Sequence, residues 1–521
     1  MNSQATAIFN AFARSARRNP ERRALTYKGR NWTYVALQAA VESAAFRLNA
    51  MGVRQGDRVA FLARNSDVYL VGWLATQALG AMHVPINFML GASEVAYILD
   101  HAAPRALFVG EEFMPVARTA TESATAAMHL RGISELLDDS PRLAIARDAL
   151  DPAAQSAQLA YTSGTESAPK GAMLTDIGLM YEYQSCIVGG EYSGSDTIVH
   201  ALPLYHCAQM HCFLTPNLML GADNIILDRA DPGEIVETVK SNKATSFFAP
   251  PTVWIGLLNH KGLKPEDLRS LKKGYYGASI MPREVLRGLQ TTLPWIRLWN
   301  YYGQTEIGPL ATVLQPEEHD KRPTSAGRPV LHVESRVVDD DMQDVKPGEI
   351  GELVHRSPQL LSAYYRDPVK TAEAFRGGWF HSGDLAVADP EGYIEIVDRK
   401  KDMIKTGGEN VASREVEEAI YKNPAVAEVA VIGVPDAKWV ERVCAVVVRR
   451  AGQSTSEQEV LAAAAGLAPF KRPKEVKFVD ALPKNPSGKI LKRELRKMFG
   501  DTFAEAREAS GGIERKPGGQ S

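Results

Sequence analysis

The segment YTSGTESAPKG (161–171) gathers four Ser/Thr hydroxyls, two glycines and a lysine, the kinds of group that hold a polyphosphate. Glycine lets backbone approach a ligand closely, hydroxyls and N–H groups donate hydrogen bonds, and lysine brings a mobile positive charge. It is not a G-x-x-x-x-G-K-[ST] loop, because Pro169 stands where that pattern needs glycine and Gly171 where it needs Ser or Thr. Four further segments carry reactive side chains. LPLYHCAQMH (202–211) contains the pair Tyr205-His206, and NYYGQTEIG (300–308) sets Thr305 beside the acid Glu306 at a glycine turn. HSGDL (381–385) carries Asp384, followed by Arg399, and LPKNPSGKILKREL (482–495) presents Lys489 on a Pro/Ser/Gly turn. Each segment taken alone has a plainer reading: a surface loop, a core histidine, a helix-start pair, a turn-closing aspartate, one surface lysine among many.

Something must position these groups, and the pattern of the chain says what. The strand-like run DRVAFLARN (57–65) is followed by the helical VYLVGWLATQALG (68–80) and the strand-like MHVPIN (82–87). NIILDRA (224–230), a helix opened by Asp231-Pro232, and TSFFAPP (245–251) repeat the arrangement. Strand–helix–strand alternation predicts an α/β fold, a large N-terminal domain of doubly wound sheets over 1–397. Past the charged cluster and Gly-Gly turn in GYIEIVDRKKDMIKTGGEN (392–410) come a helix at 413–421, strands at 427–434 and 444–450 and an Ala-rich helix near 458–466. That predicts a small α+β C-terminal domain over 398–500, with 501–521 as a flexible tail.

A chain of 521 residues is too long for one ordinary core. Hydrophobic content of 45%, charged content of 23% and a net charge of −2 are those of an average globular protein and argue against a dedicated nucleic-acid binder. From Asp398 onward 23 Lys+Arg face 18 Asp+Glu, so the C-terminal part is the basic one. Cys186, Cys207, Cys212 and Cys444 show no metal-ligand spacing and read as buried thiols in a reducing compartment. The N-terminal stretch with Ile8, Phe9, Phe12 and Ala13 reads as a surface helix without a signal peptide. The most apolar stretch, 71–90, is broken by Gln77, His83, Pro85 and Asn87, so no membrane span is expected and the chain reads as cytoplasmic.

The five segments in this order resemble the adenylate-forming superfamily of acyl- and aryl-CoA synthetases, adenylation domains and luciferases, in general look the bacterial fatty-acyl-CoA synthetases. The resemblance runs from about residue 8 to about 497. It implies an ATP-dependent acyl-CoA synthetase with Mg²⁺. The enzyme would join a fatty or aryl carboxylic acid to AMP, release pyrophosphate and pass the acyl group to CoA. Carboxylate attack on a phosphate brings anions together, so positive charge and donors must be pre-placed. The resemblance assigns Thr162, Ser163, Gly164, Thr165 and Lys170 to the outer phosphates, Glu306 to magnesium and Thr305 to the α-phosphate. It assigns Gly277, Ala278, Ser279, Asn300, Tyr301 and Tyr302 to the adenine, Asp384 to the ribose, Arg399 to the ribose or a phosphate, and Lys489 to the charge of the adenylation step. His206 would gate the acyl pocket. Gly407 and Gly408 would line a pantetheine tunnel after rotation about Lys401, and Lys405 aligns with a lysine that some aryl-CoA ligases use.

The sequence departs from that pattern at Glu166 and Ser167 in the loop, at Asp176 where His is common, and at Val440 in KWVER where Gly is usual. Tyr205-His206 stands where amino-acid-activating domains carry Phe-Asp, and no carrier domain follows. The run TSFFAPPTVW (245–254), with Tyr205 and Tyr302, suggests an apolar or aromatic acyl pocket. Rival readings keep the site but change the chemistry: a biosynthetic ligase serving a carrier protein or an amine, or an enzyme for a non-carboxylate oxyanion. The acid, the final acceptor and any homo-oligomer are left open.

Overall fold

β-Branched apolar runs become strands buried on both faces, as parallel sheets require. In the strand Arg58–Leu62, Val59 through Leu62 are fully buried. The following helix Asp67–Ala78 is buried at all twelve residues, and Ser66 caps it by accepting the Tyr69 N–H at 3.0 Å. The return strand Met82–Pro85 pairs in parallel with Arg58–Leu62. The same unit recurs with Asp223–Ile226, the helix Pro232–Asn242 capped by Asp231, and Ser246–Ala249. The alternation read from the sequence is therefore the architecture, an α/β fold.

This is a computed structural model; the residues described are 5–145, 155–162, 169–436, 438–485 and 488–500. Ser163, Gly164, Thr165, Glu166 and Ser167 of the opening loop, and the expected tail 501–521, lie outside them. The chain divides into two units. One comprises Met1–Met281, Val285–Ser382 and Val387–Glu395; the other comprises Pro282–Glu284, Gly383–Ala386 and the chain from Ile396, so Asp384 goes with the second.

A nine-stranded sheet of the first unit runs parallel through its centre, from Arg297–Gly303 across Lys273–Gly277, Ser246–Ala249, Thr197–His200 and Asp223–Ile226 to Arg23–Tyr27. Leu310–Leu314 adds antiparallel to Arg297–Gly303. A seven-stranded sheet ends in the antiparallel pair Ser156–Thr162 and Lys170–Thr175, beside which lies the short strand Ala363–Tyr364. Glu334–Val338, Gly351–Arg356, Phe380–Ala388 and Ile394–Arg399 form a four-stranded sheet.

The N-terminal helix corrects its sequence reading. Ala7–Arg18 is not a surface helix: nine of its twelve residues are buried, with Ile8, Phe9 and Ala13 fully so. Its first N–H, from Ala7, is accepted by Asp176 Oδ2 at 3.1 Å. The departure at Asp176 thus has a structural use, since a carboxylate at two helix N-termini satisfies backbone donors there.

The second unit is an α+β sheet. Glu409–Val411, Ile404–Thr406, Val440–Arg449 and Val426–Asp436 lie in that order, and Glu475–Phe478 pairs in parallel with Val440–Arg449. The helices Ser413–Ile420, Glu457–Ala463 and Lys492–Gly500 complete it, over a core that includes Ile404, Val416, Val431 and Val447. Val440 has φ of +71° and is 70% exposed, a backbone state that a β-branched residue adopts only under strain.

Candidate active site

The opening loop joins two adjacent antiparallel strands, so its ends are fixed even where its middle is not described. Thr162 and Lys170 are opposite each other in register. The next strand brings Tyr364 opposite Ala172. From the other sheet, the turn after Arg297–Gly303 supplies the short 3₁₀ segment Thr305–Ile307.

These elements meet at one carboxylate. Glu306 Oε1 accepts the hydroxyl of Thr162 at 3.3 Å and that of Tyr364 at 3.1 Å. Burial, then the charge of Glu306, raises the Tyr364 phenol, so it remains a donor. The Lys170 ammonium lies 5.2 Å from the centre of the Tyr364 ring, within cation–π range. Thr305 Oγ1 lies 3.2 Å from the sulfur of Cys207, which ties the Thr-Glu turn to the residue after His206. His206 is half-buried, and its Nδ1 accepts the Ala208 N–H at 3.2 Å, which leaves the proton of a neutral ring on Nε2. Three of the five sequence segments contribute a residue here or beside it, apart from the undescribed loop residues.

The segments expected at the adenine sit at the carboxyl ends of parallel strands, where open α/β sheets hold ligands. Gly277 ends Lys273–Gly277, and a Cβ there would run into the Tyr301 carbonyl, so only glycine lets the two strands approach. Ala278 follows with φ of +61°. Asn300 is tied down, its amide donating to the Ser325 carbonyl at 2.8 Å. Tyr301 points inward: it is buried, stacks on Phe213 and donates to the Tyr192 hydroxyl at 3.3 Å. Its side chain serves the core, while Tyr302 is half-buried.

In the second unit, Arg399 forms an ion pair of 3.0 Å with the buried Asp384. The Lys489 turn is closed by Asn485, whose side chain accepts the Lys489 N–H at 2.9 Å and whose N–H donates to the Lys489 carbonyl at 2.9 Å. Lys489 is exposed to solvent, yet the protein crowded around its ammonium pushes it down to about 8. Burial is the first cause and Arg399 the second, with Asp384 opposing. Lys405 is exposed, and its N–H donates to Glu441 at 2.7 Å. Gly407 and Gly408 have φ of +60° and +87°, and a Cβ on Gly407 would sit 2.8 Å from the Trp439 ring.

The arrangement suits an anionic substrate, and comparison with known proteins gives the family. The model of the AMP-binding enzyme family matches residues 12–365, and that of the AMP-binding enzyme C-terminal domain matches 415–489. The chain belongs to the AMP-binding enzyme family. It is 36% identical to a feruloyl-CoA synthase of an Amycolatopsis species, over 94% of this chain and 98% of that protein. It is 33% identical to an indoleacetate–CoA ligase of Aromatoleum aromaticum, with the same shares covered. Among solved structures, ATP-bound MatB from Rhodopseudomonas palustris superposes with a TM-score of 0.87 at 30% identity, covering 96% of this chain and 100% of that one. This AMP-binding enzyme is an acid–thiol ligase, an acyl-CoA synthetase that uses ATP, a carboxylic acid and CoA.

Tyr364, Cys207 and Gln359 contact or adjoin the Thr-Glu turn and were not singled out from the sequence. Cys207 directly follows His206, and Tyr364 lies in SAYYRDP, whose Asp-Pro marks a turn. Among the described residues no helix is long and apolar enough to cross a membrane.

Proposed function

We propose that this synthetase activates an aromatic carboxylic acid with magnesium-bound ATP. The observation that carries the reading is the convergence of Thr162, Tyr364 and, through its ring, Lys170 on Glu306. A carboxylate among hydroxyls offers the hard oxygen donors that magnesium takes together with substrate phosphates, so Glu306 and its neighbours fit that ion. Magnesium, when bound, neutralises charge on the triphosphate. Lys170 pairs with the outer phosphates, with Ser163, Gly164 and Thr165 beside it in sequence. Thr305 donates to the α-phosphate, the segments 277–279 and 300–302 receive the adenine, and Asp384 with Arg399 takes the ribose.

The acid's oxygen attacks the α-phosphorus, the acyl–O–P bond forms and the bond to pyrophosphate breaks. Lys489, cationic at neutral pH, stabilises the charge that develops between them. The thiol of CoA then attacks the acyl carbon and AMP leaves, with His206 at the acyl side and Gly407 and Gly408 serving the pantetheine, while Lys405 aligns with a lysine that some aryl-CoA ligases use in adenylation. The aromatic choice is supported by the feruloyl and indoleacetate relatives. Thioester formation from equal concentrations of cinnamic-type, indolic, benzoic and medium-chain fatty acids tests it. An aryl acid is expected to give the highest kcat/KM, and a fatty acid preferred by tenfold would overturn the choice.

A further inference from the structure

Among the described residues, a carboxyl with no cationic partner sits directly behind the Thr-Glu turn. Glu182, on the helix Asp176–Gly189, has no solvent exposure. Its Oε1 accepts the Leu310 N–H at 3.1 Å, and its Oε2 accepts the Gln359 amide at 2.6 Å. The same Gln359 amide donates to the carbonyls of Ile307 at 3.3 Å and Leu310 at 3.0 Å, while Gln359 Oε1 accepts the Ser185 hydroxyl at 2.6 Å. Two residues on, the Leu361 N–H donates to the Glu306 carbonyl at 2.7 Å. Gly308 packs so closely that a Cβ on it would lie 3.3 Å from Glu182. The turn that carries Thr305 and Glu306 is thus fastened on its inner side by Glu182 and Gln359, and on its outer side by Tyr364.

Resting on the reading of Glu306 as part of the ATP site, we infer that Glu182 is a positioning residue: it holds the backbone of 307–310 so that Glu306 and Thr305 face the nucleotide. Cys186 and Cys212 approach the same carboxylate, at 3.2 and 3.6 Å, but neither thiol has a hydrogen bond to the turn. Burial pushes the acid of Glu182 up to about 8, and Tyr183 and the thiols around it are raised too. An apolar residue in its place would leave the Leu310 N–H buried without a partner, a loss that rearranging the turn would relieve.

The test compares Glu182→Ala, Gln359→Leu and Cys186→Ala with the parent enzyme. The readouts are magnesium–ATP affinity by calorimetry, KM for ATP and for the acid, and thermal unfolding. Glu182→Ala and Gln359→Leu are expected to weaken magnesium–ATP binding and raise KM for ATP about tenfold while KM for the acid stays within twofold. Cys186→Ala, which alters the same buried cluster without touching the turn, is expected to leave ATP affinity unchanged. If Glu182→Ala does not fold, Glu182→Gln, which keeps an acceptor for Leu310 but turns an amide towards Gln359, is expected to show a smaller loss of the same kind. A lower melting temperature with unchanged ATP affinity, or an equal loss in Cys186→Ala, would overturn the proposal. Absence of turnover with every acid would instead count against the enzymatic reading, because the calorimetric comparison does not depend on it.

Discussion

Lys489 carries a charge that its surroundings oppose, since burial and Arg399 both push its ammonium down to about 8. If the cation is the active form, adenylation falls as pH rises through about 8. Lys489→Arg keeps its charge there and, whatever its lower rate, is expected to lose that alkaline limb. Lys489→Ala is expected to cost at least 10²–10³ in the rate of pyrophosphate release, the usual scale for one pre-placed charge or donor. A limb that persists in the arginine variant would assign it to another group. Tyr364→Phe removes one donor to Glu306 without changing volume. A hydrogen bond to a charged group contributes about 1.5–3 kcal/mol, so a rise in KM for ATP of about tenfold or more is expected, read from initial rates at varied ATP.

At the scale of elements, the departures from the family pattern behave differently from one another. Asp176 is the first residue of its helix, after the cap Thr175; it accepts the Ile177 N–H at 2.8 Å and receives Ala7 from the N-terminal helix. Asp176→Ala is expected to destabilise the first unit by about 1–3 kcal/mol, because the buried Ala7 N–H loses its acceptor, with a lower melting temperature as the readout. Val440 has the opposite sign. It opens the strand Val440–Arg449 with a positive φ that glycine adopts freely. Relief of strain worth about 1–3 kcal/mol outweighs the entropic cost of glycine, about 0.5–1 kcal/mol. Val440→Gly is therefore expected to stabilise the second unit by about 1 kcal/mol, measured by denaturant unfolding. The strain could be anticipated from Val standing where Gly is usual, but not the use of Asp176, because its partner lies 169 positions away.

For the whole molecule, what was legible followed the period of the chain. The runs 57–65, 68–80 and 82–87 became strand, helix and strand because uninterrupted burial on both faces selects long apolar runs. The same patterning misjudged Ala7–Arg18, whose arginines suggested solvent while Ile8, Phe9 and Phe12 went into the core. Candidate site residues were found where several reactive types share a short segment, as at Thr305-Glu306. Tyr364, Gln359 and Glu182 were not, because their function arises only when distant strands and helices converge, and each alone reads as core or turn. The central claim is that one set of residues makes an acyl-adenylate. Its most direct test is exchange of labelled pyrophosphate into ATP, with magnesium and a panel of aryl acids, in the absence of CoA, for the parent enzyme and Glu306→Gln. The account predicts acid-dependent exchange that the variant reduces at least a hundredfold; exchange that needs no acid, or that survives Glu306→Gln unchanged, would contradict it.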